Sequence, residues 1–142
     1  RPVRVRAEAF GPGLPRRDLF LSPDHAVLIG GALIPIKHLA NGGSVAQMSR
    51  RSVEYHHVEL DTHDVLIAEG LPAESYLDTG DRDSFDGASA VRLHPAFGAS
   101  RAAEIWESSA CAPLAVTGPA VEAARSLLRD RAAALAPRLK SA

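Results

Sequence analysis

The 142-residue chain carries 16 Lys and Arg residues against 17 Asp and Glu residues, so its charge gives no reason to expect nucleic-acid binding. The hydrophobic content of 46% suits one globular domain with or without an appendage, and no apolar run approaches the roughly 18 residues that span a bilayer. The single cysteine, Cys111, excludes an intramolecular disulfide and a CxxC zinc site, and we expect it to be a small buried hydrophobe.

The first 80 residues have the short apolar runs and alternating patterns of β-strands. The patterns predict strands within residues 2–9, 18–21, 26–29, 32–36, 45–48, 53–60, 65–68 and 71–78. Gly30-Gly31 predicts a tight hairpin turn, and Pro35 favours an edge position for the strand after that turn. Residues 1–80 are therefore predicted to form a mostly β domain.

The composition changes after residue 80. Residues 81–94 are polar and predict a linker or mobile loop, and residues 95–142 predict a helical extension. Within the extension we expect a short helix at residues 100–108 and a second helix that begins at Thr117-Gly118-Pro119 and ends near Pro137. One face of the second helix indicates packing or contact with a partner, including a second copy of the chain; it carries Val121, Ala124, Leu128 and Leu135.

The strongest chemical signal is the turn Ser22-Pro23-Asp24-His25, which lies between two apolar runs. Pro23 fixes its own φ and favours an extended conformation for Ser22. A hydroxyl and an imidazole, which can donate, accept or transfer a proton, are thus held at a rigid bend. From these residues alone, His25 is either a proton-transfer group or a structural histidine, and Ser22 either serves a site or satisfies turn backbone.

A second polar pattern follows the predicted strand 53–60. If the strand is regular, four side chains of metal-binding type share one face: His57, Glu59, Asp61 and His63. Zinc ligands usually come from more than one element, so we interpret the row as a solvated face, with adventitious or inhibitory metal binding as the alternative. We assign the chain no metal and no cofactor.

Two blocks of the sequence carry a family resemblance. Residues 19–25 are an apolar strand followed by Ser-x-x-His, and residues 60–76 contain an acid-Gly turn followed by Ala-Glu-Ser-Tyr. Both blocks resemble the Hint family, the shared fold of hedgehog autoprocessing domains, inteins and bacterial intein-like domains. Their amino-acid sequences are similar to those of a bacterial subfamily. The resemblance covers residues 1–80 and implies a mostly β Hint-type fold with a C-terminal helical appendage.

The resemblance implies self-processing, with the chain's own upstream polypeptide as substrate. In the family, an N-terminal Cys or Ser attacks the carbonyl of its preceding peptide bond and forms a thioester or ester. The block histidine, here His25, would protonate the departing nitrogen, while Ser22 would hold the hydrogen-bond geometry. His63 is a further expected contributor, and Ser75, which stands where the hedgehog pattern has Cys, is either a nucleophile or acceptor or a surface strand serine.

The departures from the family pattern restrict this expectation. Cys111 lies far beyond the closing block, so we expect the nucleophile upstream of Arg1. Splicing needs a terminal Asn that cyclises, whereas the only asparagine, Asn41, lies mid-domain. We therefore expect cleavage at the N-terminal junction, and the alternative is a non-catalytic Hint-like scaffold whose helical tail binds a partner.

Overall fold

The computed structural model describes residues 1–75 and 107–140, with side chains through residue 137. Within these ranges seven short strands form two antiparallel sheets, and a long helix lies near the C-terminus. This is the mostly β architecture with a helical appendage that the sequence predicts. The predicted linker 81–94 and most of the predicted helix 100–108 lie outside the described residues.

The strands are short and divide into a three-stranded and a four-stranded sheet. They are β1 (Val3–Val5), β2 (Leu19–Leu21), β3 (Ala26–Ile29), β4 (Ala32–Pro35), β5 (Val45–Gln47), β6 (Val65–Ala68) and β7 (Leu71–Glu74). The first sheet has the order β2-β1-β5 and the second has the order β4-β3-β7-β6. Because β2 and β3 belong to different sheets, the turn between them, residues 22–25, lies where the chain passes from one sheet to the other.

The β3–β4 hairpin forms as predicted. Gly30 and Gly31 occupy its turn with φ values of 58° and 78°, which favour glycine. β4 is the edge strand of its sheet, as Pro35 indicates. Part of that edge is covered by the C-terminal extension, since the Leu33 N–H donates to the Pro113 carbonyl at 2.9 Å and the Ala115 N–H donates to the Leu33 carbonyl at 2.8 Å.

The β6–β7 hairpin depends on Gly70. Its φ is +89°, and a Cβ at this position would lie 3.1 Å from the Gly13 carbonyl oxygen. A side chain would therefore be strained and crowded here. The turn sets the register that pairs β6 with β7, and the Val27–Ala73 pair joins β7 to β3. The end of β7 thus lies beside the start of β3.

The predicted strand 53–60 is wrong. Residues 52–58 have no regular secondary structure, and apolar side chains of this segment are exposed, Val58 to 51%. Alternation predicts a strand only where one face meets a core and the edges find partners, and among the described residues this segment is absent from both sheets. The expected common face is lost as well, because His57 is half-buried and His63 is buried, whereas Glu59 and Asp61 are exposed. The described ranges contain no group of three or more His, Cys, Asp or Glu residues placed to hold a metal ion.

The long helix, α1 (Pro119–Lys140), packs on the β domain of its own chain. Val121, Ala124 and Leu128 are buried in the cluster that contains the core residues of both sheets. Arg125 Nε also donates to the His38 carbonyl at 3.0 Å. Much of the apolar face is therefore covered internally, and self-association through the helix stays a prediction.

The helix begins at the predicted Pro119 but does not end at Pro137, since it continues to Lys140. A proline removes one helical N–H and crowds the preceding turn, and here the helix tolerates that loss three residues before its end. Within the described residues, no helix is both long and apolar enough to cross a membrane.

Candidate functional site

The 22–25 turn forms one wall of an open cavity of about 260 Å³. Its backbone is fixed on both sides, because the His25 N–H donates to the Ser22 carbonyl at 3.1 Å and the Ile36 N–H donates to the His25 carbonyl at 2.9 Å. Lys37 and Asp24 form an ion pair beside the turn. The structure thus places the two predicted site residues, Ser22 and His25, together on the cavity wall.

The irregular segment that follows β5 supplies two further histidines, His56 and His57, to this cavity. The rings of His25 and His57 stack, with centroids 6.1 Å apart and an interplanar angle of 20°. Most of the remaining lining is apolar and comes from β2, β6 and β7: Leu19, Leu21, Leu66, Ala68 and Ala73. The cavity therefore combines three imidazoles, those of His25, His56 and His57, with a largely apolar surround.

The environment of His57 favours its neutral form. Burial lowers the pKa of the imidazole, and repulsion from His25 and, more weakly, His56 lowers it further, while the negative charge of Glu74 acts in the opposite direction. With a pKa below its ordinary value near 6.5, His57 is neutral at neutral pH. A neutral His57 does not oppose a proton on the neighbouring His25.

The Ser22 hydroxyl is shielded from solvent and makes no hydrogen bond within residues 1–75 and 107–137. Buried polar groups are generally paired, and an unpaired one costs about 1–3 kcal/mol. On a cavity wall beside an imidazole, such a hydroxyl is available to a group that enters the cavity.

The floor of the cavity carries Glu74, a buried acid that is only 4% exposed. Its Oε1 accepts a hydrogen bond from the Ala26 N–H at 2.7 Å, and its Oε2 lies 3.7 Å from His63 Nε2. The sequence patterns do not identify Glu74 as a site residue. The available signal was an acid between Ala73 and Ser75 inside a predicted apolar strand.

His63 and Ser75 lie off the cavity wall. His63 is buried, and its Nδ1 accepts the Cys111 N–H at 3.0 Å. Ser75 Oγ accepts the Asp64 N–H at 2.9 Å, and the Ser75 N–H donates to the Asp64 carbonyl at 2.7 Å. Ser75 thus ties the end of β7 to the start of β6 and is buried, not on the surface. His63 is linked to the cavity through Glu74.

Cys111 is exposed, so the expected burial of this residue is wrong. It lies in the irregular stretch between residue 109 and α1, where the small size of a side chain does not decide its burial. Partial burial of the thiol, the negative charge of Asp64 and, more weakly, that of Glu74 raise its pKa. The thiol is therefore protonated at neutral pH and is a poor nucleophile.

A family model described as a Hint domain matches residues 1–80. No curated protein and no solved structure matches the chain. The family match spans more than half of the 142 residues and includes both the 22–25 turn and the β6–β7 hairpin. The chain therefore belongs to the Hint domain family.

Proposed function

We propose that this Hint domain is a self-processing unit that cleaves a peptide junction upstream of β1 through a thioester or ester intermediate. Hint domains are known for autoprocessing. The observation that carries the proposal is the Ser22 hydroxyl, which is buried without an internal hydrogen bond on the same cavity wall as the His25 imidazole. A purely structural serine hydroxyl would be expected to find a partner inside the fold.

The path of β1 supports an upstream substrate. β1 runs antiparallel to β2 with Val3 opposite Leu21, so one further step in this register brings Pro2 level with Ser22. The Met48 N–H holds the Pro2 carbonyl at 2.8 Å. Polypeptide that precedes Arg1 would approach the sheet from the end at which the 22–25 turn borders the cavity.

The chemistry requires a nucleophile in that preceding segment. Its Cys or Ser side chain attacks the carbonyl carbon of the preceding residue and loses its proton to solvent water. The carbon–nitrogen bond then breaks, and His25 delivers a proton to the departing nitrogen. The Ser22 hydroxyl donates a hydrogen bond to the carbonyl oxygen as negative charge develops on it. Water finally hydrolyses the ester, which releases the upstream fragment as a carboxylic acid and regenerates the thiol or hydroxyl.

The test is intact mass spectrometry of the parent chain extended upstream past the expected junction. The wild type should be shortened at an Xaa-Cys or Xaa-Ser bond, faster with added thiol for Cys, and His25→Ala should block the cut. His38→Ala is the matched control, because His38 is half-buried outside the cavity, and it should cleave normally. A wild-type chain of full mass under every condition would contradict the proposal and favour a non-catalytic scaffold.

A further inference from the structure

We propose that Glu74 is a positioning residue for His25, and that His63 holds the Glu74 carboxylate in the orientation this requires. The inference rests on the proposed function, because His25 is the group whose orientation matters for cleavage. Glu74 is the last residue of β7, and His63 lies in the segment that precedes β6.

One peptide unit connects Glu74 to the orientation of His25. The carbonyl of His25 and the N–H of Ala26 belong to the same peptide group. Ile36 donates to the carbonyl at 2.9 Å, and Glu74 Oε1 accepts from the N–H at 2.7 Å. The plane of this group is therefore fixed from both sides, and with it the ψ angle of His25. Loss of the carboxylate would free one side of the peptide next to the imidazole.

The carboxylate takes the place of a missing strand contact. β3 and β7 share a single pair, Val27 with Ala73, and Ala26 is fully buried. A buried N–H without an acceptor is costly. Glu74 extends the β3–β7 pairing by one charge-assisted hydrogen bond at the position where the 22–25 turn ends.

His63 is suited to hold the second carboxylate oxygen. Its Nδ1 accepts the Cys111 N–H at 3.0 Å, so this nitrogen carries no proton, and its Nε2 lies 3.7 Å from Glu74 Oε2, slightly beyond hydrogen-bond distance. A buried carboxylate is costly unless hydrogen-bond donors or positive partial charges lie close to its oxygens. We expect the polar edge of the ring at this distance to favour one rotation of the carboxylate, and thereby the direction of Oε1.

The C-terminal extension completes this arrangement. Cys111 and Leu114 lie outside residues 1–80, which the family model matches. The Cys111 N–H selects the tautomer of His63, and Leu114 forms a parallel bridge with Leu33 on the edge of β4. The extension thus supplies one hydrogen-bond donor to the chain of contacts that ends at His25.

The first test compares Glu74→Ala and Glu74→Gln in the parent chain. Gln keeps a carbonyl oxygen for the Ala26 N–H but removes the charge, whereas Ala removes both. Since a misplacement of about 1 Å costs up to ~100-fold in rate, cleavage by Glu74→Ala should fall at least about tenfold, and by less in Glu74→Gln. Glu69→Gln changes a half-buried residue of the same hairpin that pairs with Arg17 and lies outside the cavity lining, and it should cleave as the wild type does.

A second readout separates positioning from stability. Because the Glu74 charge raises the pKa of His57, Glu74→Gln should lower that pKa further in an NMR titration, and the His25 ring signals should shift. Glu54, Tyr55 and His56 are further titratable groups that line the cavity with His25 and His57, and His63 lies behind Glu74. Hydrogen exchange at the Ala26 amide should stay slow in Glu74→Gln and become fast in Glu74→Ala. Glu74→Gln keeps the test valid if Glu74→Ala does not fold.

The role of His63 is tested with a pair of amides. His63→Gln keeps an N–H donor near the Nε2 position that faces Glu74, and His63→Asn keeps only an acceptor near Nδ1 for Cys111. Cleavage should be retained better by His63→Gln than by His63→Asn at equal stability. Equal rates in the two variants, or a wild-type rate in Glu74→Ala, would overturn the inference. An uncut wild type would instead refute the proposed function, and the Ala26 exchange and the His25 signals would still decide whether Glu74 orients His25.

Discussion

The 22–25 turn and the end of the β6–β7 hairpin both carry residues of the family motifs, but their surroundings differ. Ser22 and His25 border an open cavity, and the Ser22 hydroxyl makes no hydrogen bond within the described residues. Glu74 and Ser75 are buried, and each holds a backbone N–H of the fold. Under the proposed function, the turn would meet the substrate, whereas the contacts of the hairpin end hold the backbone of the turn and the sheet in place.

After the His25 substitution, the largest effect in this comparison is expected for Ser22→Ala. Removal of a hydrogen-bond donor aimed at a developing oxyanion costs roughly 10²–10³-fold in rate. Since the hydroxyl has no internal partner among the described residues, the free energy of unfolding should stay constant or rise. Cleavage kinetics and urea unfolding check both expectations. Ser22→Thr keeps the hydroxyl and should retain cleavage, and a Ser22→Ala chain that loses stability instead of rate would contradict the assignment.

The next largest effect is expected for Leu128→Ala, which tests whether α1 belongs to the buried region. Leu128 is 1% exposed in the common core, whereas its neighbour Leu127 is 40% exposed. Truncation of a buried leucine costs about 2–5 kcal/mol, so Leu128→Ala should lower the free energy of unfolding by that amount. Leu127→Ala is the control and should change it by about 0.5 kcal/mol or less. Equal effects would show that the helix does not pack on the domain.

Ser75→Ala should reduce stability and leave the chemistry unchanged. The substitution leaves the Asp64 N–H without the Ser75 Oγ acceptor, which costs about 1–3 kcal/mol. Chemical denaturation measures the loss, with the exposed Ser52→Ala as control. A cleavage rate that falls in Ser75→Ala while the domain remains folded would instead place Ser75 in the reaction.

The smallest effect is a pH dependence from His57. Its pKa is lowered in the folded state, so below the unfolded value near 6.5 the unfolded chain binds more protons. Stability should therefore rise with pH from the folded pKa up to about 6.5 and gain nothing further from His57 above it. His57→Asn should flatten this slope in urea unfolding between about pH 5 and 7. An unchanged slope would contradict the half-buried placement of the ring.

Local signals in the sequence predict much of the fold. The Gly30-Gly31 turn and its flanking apolar runs define the β3–β4 hairpin, and the start of α1 follows from Pro119, because turns and helix starts depend on residues close in the chain. The strand prediction for residues 53–60 is wrong because strand formation depends on residues that are distant in the chain. The alternation of this segment resembles a strand, but whether a strand forms depends on partners that sequence distance does not reveal.

The site is predictable only in part. The motif blocks identify Ser22 and His25, and the structure brings their side chains to one cavity. Glu74 was missed because a lone acid in a strand usually indicates an exposed position, and its partners, Ala26 and His63, are 48 and 11 residues away in sequence. The Cys111 contact to His63 likewise depends on how the extension folds back over the domain.

The most direct test of the central claim is the single-turnover cleavage rate of the parent chain with His25→Ala and Ser75→Ala side by side, each at a temperature where unfolding measurements show it to be folded. A lost general acid costs about 10²–10⁴-fold. We predict a loss of cleavage rate of this size for His25→Ala and a rate close to that of the wild type for Ser75→Ala. Equal rates for His25→Ala and the wild type would contradict it.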